Sequence, residues 1–170
     1  MAKGSSSPLS GWVLLRDVEE RDLPIFFEDQ RNPVANEMAA FTPRERDAFM
    51  AHWAKLLGDD TVIKKAIVFN DQVAGHIGCF ERFGKRLVGY WLSQHMWGKG
   101  IATRALSEFV AGLEARPLHA HVAKHNVASI RVLEKCGFTL SGQDHAPDRA
   151  GGKIVEELIY TLSLHLAFAL

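Results

Sequence analysis

Between Val88 and Leu106 the chain reads VGYWLSQHMWGKGIATRAL, an apolar extended run that turns through Gly98-Lys99-Gly100 into an amphipathic helix. No other stretch constrains the fold as strongly. A strand that passes through glycines into a helix presents unpaired backbone N–H groups and a positive helix end to one spot. Such a spot suits an anion, most often a phosphate. A nucleotide-like ligand is therefore the first expectation.

The rest of the pattern predicts one α/β (α+β) domain over residues 11–170, after a polar, flexible lead at 1–10. Trp12 to Val18 reads as a strand and Glu19 to Arg31 as a helix. Thr42-Pro43, with Glu45 three residues after Thr42, reads as the start of a helix through Arg44 to Leu57. Three extended runs follow, Val62 to Phe69, Gln72 to Phe80 and Leu87 to Ser93, separated by the short turns Asn70-Asp71 and Gly84-Lys85 that suit antiparallel hairpins. After Gly100, residues Ile101, Ala105, Phe109, Val110 and Leu113 share one helical stripe. Leu118 to Lys124 then reads as a strand, Val127 to Cys136 as a helix and Phe138 to Ser141 as a strand. A polar loop, Gly142 to Lys153, leads to a last strand, Ile154 to Leu164. This order lacks the strict strand–helix alternation of a doubly wound sheet and implies a mixed, largely antiparallel sheet of about seven strands flanked by about four helices.

Composition excludes several functions. Lys plus Arg equals Asp plus Glu at 20 each, and the charges are interspersed, whereas a nucleic-acid binder needs a basic stripe to neutralise phosphates. No window approaches the roughly 20 apolar residues of a membrane span. The start, MAKGSSSPLSGW, has no apolar core of a signal peptide, so a cytoplasmic protein is expected, with Cys79 and Cys136 as reduced thiols.

Two familiar phosphate motifs do not fit. A Walker A loop needs Gly-Lys followed by Ser or Thr, but Gly100 follows Lys99. A dinucleotide fingerprint needs a third glycine where Thr103 stands, and an acidic residue about 20 residues on, where the chain reads Pro117-Leu-His-Ala-His. A second stretch, His125 to Phe138, carries Asn126, Ser129, Glu134-Lys135 and Gly137-Phe138.

With both stretches in view, the chain resembles the GCN5-related N-acetyltransferase (GNAT) superfamily. The diphosphate loop of that family, Arg/Gln-x-x-Gly-x-Gly/Ala, falls on Trp97, Gly100 and Ala102, with Gly98 as an additional glycine. The downstream signature Asn-x-x-Ser-x-x-x-x-Glu-Lys-x-Gly-Phe is matched at every specified position from Asn126 to Phe138. Gly89 to Leu92 looks like the strand that pairs with pantetheine in the branch resembling ribosomal-protein N-terminal acetyltransferases.

The resemblance implies acetyl-CoA as cosubstrate, no metal, and direct transfer to a primary amine on a protein N-terminus or a small molecule. The partners implied are acetyl-CoA and the amine, with no nucleic acid or membrane, and a monomer or homodimer. The cofactor contacts carried over are Leu92, Ser93, Trp97, Gly98, Lys99, Gly100, Ile101, Ala102, Thr103, Asn126 and Ser129. Two departures stand out. Trp97 occupies a position where many relatives have Arg or Gln, and Leu133 one where many have a Tyr that protonates the departing thiolate. Ser129 is the nearest substitute acid. The missing Tyr leaves a second reading open, a non-catalytic acyl-CoA-binding module.

The amine must be neutral to attack, so a base is needed, and Glu81 is the candidate, ahead of His76 and Glu37. His119, His121 and His125 lack the Cys or paired carboxylate that would complete a zinc set. Cys136 is read as a packing residue beside Gly137-Phe138. Asp144, His145, Asp148 and Arg149 lie in the polar loop that edges the acceptor pocket in relatives, and the apolar tail His165 to Leu170 is expected to cover a sheet edge or join a dimer contact.

Overall fold

The computed structural model describes residues 10–147 and 153–163. Asn70 and Asp71 both take left-handed angles, φ 46° and 65°, at the corner joining β2 (Ile63–Phe69) to β3 (Gln72–Arg82). That mirror-image turn matches the twist of the strands it connects. Phe83 and Gly84, φ 52° and 71°, make the same corner between β3 and β4 (Lys85–Leu92). With β1 (Val13–Asp17) paired to β2, these strands form an antiparallel half-sheet.

The other half holds β5 (Leu118–Ala123), β6 (Thr139–Pro147) and β7 (Ile154–Leu162), and the full order is β1-β2-β3-β4-β5-β7-β6. Only the central β4–β5 contact is parallel. Helices α1 (Leu23–Arg31) and α3 (Arg46–Leu57) cover one face, and α4 (Ile101–Ala111) and α5 (Val127–Lys135) the other. Strand alternation divides the core accordingly. Ala66 packs with Phe26, Phe49 and Trp53 on the α1/α3 side. Its neighbour Ile67 joins Ile77, Leu106, Phe109 and Leu133 on the α4/α5 side. The expected single α/β domain with a mixed seven-strand sheet is the observed fold.

Three local expectations need correction. A fifth helix, α2 (Pro33–Ala39), follows α1 directly, started by Asn32, whose side chain accepts from the N–H groups of Val34 and Ala35 at 3.0 Å each. Thr42 does not start α3. The buried Gln30 side chain takes both backbone groups of Arg44, donating to its carbonyl at 2.6 Å and accepting from its N–H at 2.9 Å, and so holds the chain extended until Glu45. The polar stretch after Ser141 is no loop up to Pro147. It is paired with β7 through Ile154, and its side chains are mostly exposed because β6 is the outermost strand. Residues 1–9 of the polar lead, Asp148 and Arg149, and the tail from Leu164 lie outside the described residues.

Candidate active site

β4 and β5 pair at one register position, Leu87 against His119, and diverge beyond it. On the other side of β4, Ser93 N–H donates to the Ala74 carbonyl at 2.8 Å. Antiparallel strands alternate their bonding partners. Leu92 and Tyr90 therefore turn their N–H groups away from β3 and into the gap, while the Ser93 N–H is already engaged. The close approach of β3 and β4 here requires Gly75, since a Cβ at that position would lie 2.0 Å from the Trp91 carbonyl oxygen.

A cleft of about 390 Å³ opens from this gap, bounded by α2, the end of β4, the start of α4 and one face of α5. Gly98 and Gly100 hold left-handed angles, φ 73° and 80°. Gly100 is the N-cap of α4 and has no side chain with which to cap it. The first-turn N–H groups of Ile101, Ala102 and Thr103 thus face the cleft as donors, backed by the helix dipole. Trp97 Nε1–H donates to the Leu92 carbonyl at 2.9 Å, so the indole closes the end of β4 and brings no charge to the cleft. Positive charge comes instead from Arg131 and Lys135, which line the cleft from α5 together with Ala128 and Val132. Their three- and four-residue spacing was visible in the sequence. Lys99 is not among the residues lining the cleft.

Asn126 caps α5, its Oδ1 accepting from the Ser129 N–H at 3.2 Å. That places Ser129 Oγ at the floor of the cleft, 2.9 Å from the Tyr90 hydroxyl on β4. Burial pushes the Tyr90 hydroxyl up to about 12, so the phenol keeps its proton at neutral pH. Sequence spacing gave no sign of this pair, because the two residues belong to different elements and meet only when α5 docks beside β4.

Other residues singled out from the sequence fall elsewhere. Glu81 pairs with Arg86 at the far end of the β3–β4 ladder and lines neither the cleft nor the cavity beneath it. His76 is packed between Phe26 and Trp53, tilted against the first and edge-on to the second, at ring distances of 4.7 and 5.0 Å. Desolvation, with the nearby His52, draws its affinity for a proton down to about 4. His119, His121 and His125 have separate partners: Thr161 Oγ1 at 2.9 Å, Glu157 Oε2 at 3.1 Å and the Glu37 carbonyl at 2.8 Å. Burial raises the Cys136 thiol, and its Sγ lies 3.4 Å from the Thr103 carbonyl, a packing position.

A strand edge open beside a glycine-led, uncapped helix is suited to a nucleotide diphosphate carrying an extended amide-bearing arm, and this is the arrangement of a CoA-dependent acyltransferase. The sequence pattern of the acetyltransferase (GNAT) domain matches residues 13–139, and the chain belongs to that family. It is 24% identical over 163 residues to an uncharacterised N-acetyltransferase, p20, of Bacillus licheniformis, covering 88% of this chain and 92% of the relative. In fold it is similar to spermidine N-acetyltransferase from Vibrio cholerae, solved with CoA and spermine, with a TM-score of 0.77 at 18% identity and coverage of 89% and 95%. It is similar also to the ribosomal-protein-S5-alanine acetyltransferase of Vibrio fischeri, with a TM-score of 0.71, 18% identity and coverage of 89% and 92%. Acetyl-CoA is thus the cosubstrate of an acetyltransferase fold. Among the described residues no helix is long and apolar enough to cross a membrane.

Proposed function

We propose that this chain acetylates a primary amine, on a protein N-terminus or a small molecule, by direct transfer from acetyl-CoA. The observation that carries the reading is that one cleft holds the uncapped α4 terminus, the unpaired N–H groups of β4 and the Ser129 hydroxyl. In this reading the N–H groups from Gly98 to Thr103 hold the diphosphate, with Lys99 at its rim. Leu92 and Ser93 end the strand along which the pantetheine lies, Trp97 walls the entrance, and Asn126 fixes α5 against the arm.

The chemistry follows from charge. As the amine attacks, negative charge grows on the thioester oxygen and needs a fixed donor in a site shielded from water. The N–H groups of Tyr90 and Leu92 face that position. The departing thiolate is a weak base, of pKa about 8.5 by analogy with cysteine, and a hydroxyl proton from Ser129 eases its release. An α-amine of pKa about 7.7–8.0 is roughly a tenth or more neutral at pH 7, against roughly 0.04% for a lysine amine. The similarity to enzymes named for spermidine and for an alanine of ribosomal protein S5 supports amines as the acceptor class. It supports the branch resembling ribosomal-protein acetyltransferases no more than the polyamine one.

The test is free-thiol release from acetyl-CoA with spermidine, an aminoglycoside, free amino acids and an alanine-starting peptide. Amine-dependent release is expected from at least one. Thermal stabilisation by CoA with no release from any of them would count against catalysis, and no stabilisation near millimolar CoA would remove the cofactor assignment.

A further inference from the structure

Beneath the cleft, a cavity of about 120 Å³ runs through the gap between β4 and β5, and Tyr90, Asn126 and Ser129 line both spaces. Its far side is set by strand alternation. Ala120 and Val122 of β5 point into the core under α4 and α5, so His121 between them faces the opposite side of the sheet. Gly89 of β4 faces the same side, and a Cβ there would find only the Phe80 ring, at 4.0 Å. His121 and Gly89 both line the cavity. The hydroxyl pair thus lies on one side of the gap and an imidazole on the other, with an open lane over Gly89 beside it.

The imidazole is oriented. His121 stands opposite Ile159 on β7, which puts Glu157 on the diagonal of the same face. Its Nδ1 lies 3.1 Å from Glu157 Oε2, with the two side chains 29% and 28% exposed. A carboxylate only accepts, so Nδ1 carries a proton, and in the neutral ring Nε2 therefore keeps its lone pair. Asp144 on β6 lies directly across from Glu157, a like-charge pairing that opposes stability and favours an approaching cation.

We propose that His121 is the general base of the transfer, taking the proton of the attacking amine on Nε2, and that Glu157 is the positioning residue that fixes its tautomer. The inference rests on the acetyl-transfer reading. The amine nitrogen forms the new bond to the acetyl carbon and passes one proton to His121 Nε2. The carbon–sulfur bond breaks, and the thiolate takes one proton from the Ser129 hydroxyl. His121 then releases its proton to water, and Ser129 is reprotonated from water through Tyr90. The products are the acetamide and free CoA thiol.

The test uses the full chain and whichever amine of the panel above it acetylates fastest. His121→Ala should lower kcat about 100-fold, with CoA affinity unchanged and activity partly restored by added imidazole. Glu157→Gln should lower kcat about 10-fold with KM nearly constant. Nitrogen-15 spectra of the imidazoles, which need no turnover, should show His121 protonated at Nδ1, with that preference lost in Glu157→Gln. A wild-type His121 protonated at Nε2, or a His121→Ala enzyme within about threefold of wild type, overturns the proposal while leaving acetyl transfer standing. A wild-type chain that binds CoA but releases thiol with no amine removes the transfer reading, and the role of His121 with it.

Discussion

The Tyr90 and Ser129 hydroxyls lie 2.9 Å apart, bridging β4 and the first turn of α5 at the floor of the cleft. Burial holds the Tyr90 proton in place, with a hydroxyl raised to about 12. If Ser129 donates to the thiolate, Tyr90 supplies the donor behind it. Ser129→Ala should then lower kcat by about 10- to 100-fold with little change in CoA affinity, and Tyr90→Phe by a smaller factor. The double variant should be no slower than Ser129→Ala alone, because the residues act in series. Additive losses, read from thiol release and calorimetric CoA titration, would show that they act separately.

Gly100 caps α4 at φ 80°, where a side chain costs about 1–2 kcal/mol of backbone strain. A bulky side chain would also cover the first-turn N–H groups. Gly100→Leu should therefore abolish thermal stabilisation by CoA while the protein remains folded. Retention of that stabilisation would place the diphosphate elsewhere.

At Gly75 a Cβ would lie 2.0 Å from the Trp91 carbonyl oxygen and 3.0 Å from Leu92 Cα, so alanine would push β4 away from β3. Gly75→Ala should lose about 3 kcal/mol or more of stability in urea unfolding. Gly84→Ala provides the contrast. Its φ is +71° but nothing lies within 4 Å, so it should lose only about 1–2 kcal/mol. Equal losses at the two positions would mean that the strand contact is not what matters.

His76 is kept neutral by desolvation and then by His52, its proton affinity falling from an ordinary 6.5 to about 4. The unfolded chain therefore binds the proton more readily than the folded one across that window. This contribution is fully present above about pH 6.5, declines as pH falls, and levels off below about 4. It amounts to at most about 3 kcal/mol, since the ring is only half-buried by area. Replacing His76 with Phe should keep the ring contacts with Phe26 and Trp53 and flatten the stability profile between pH 6.5 and 4. An unchanged slope in pH-dependent unfolding would assign it to other groups.

What could be read from the sequence was local. The strand, glycine turn and helix from Val88 to Leu106 lie in one continuous stretch, and so do the cap and exit of α5, so periodicity and turn chemistry identified both. The start of α2 at Asn32-Pro33 is equally local, while Thr42-Pro43, an equally good signal, is overridden by Gln30, which holds Arg44 from 14 residues away. The end of β6 was hidden because an outermost strand buries little and loses its apolar alternation. Contacts across the sheet left no trace in spacing. Tyr90 with Ser129, and His121 with Glu157, exist only through the packing of distant segments.

The single register contact between β4 and β5 leaves an edge in the middle of the sheet rather than at its rim. Elsewhere such edges attract unwanted partners and are blunted by charge or proline. Here the edge is flanked by helices and opens into a cleft, a setting that suits a narrow molecule bearing amides. On the proposed reading such a molecule would act as a temporary eighth strand, and its binding free energy would add to the stability of the folded state. Resistance to proteolysis and to heat should therefore rise with the concentration of its cosubstrate, so that the lifetime of the protein depends on the supply of the molecule it consumes.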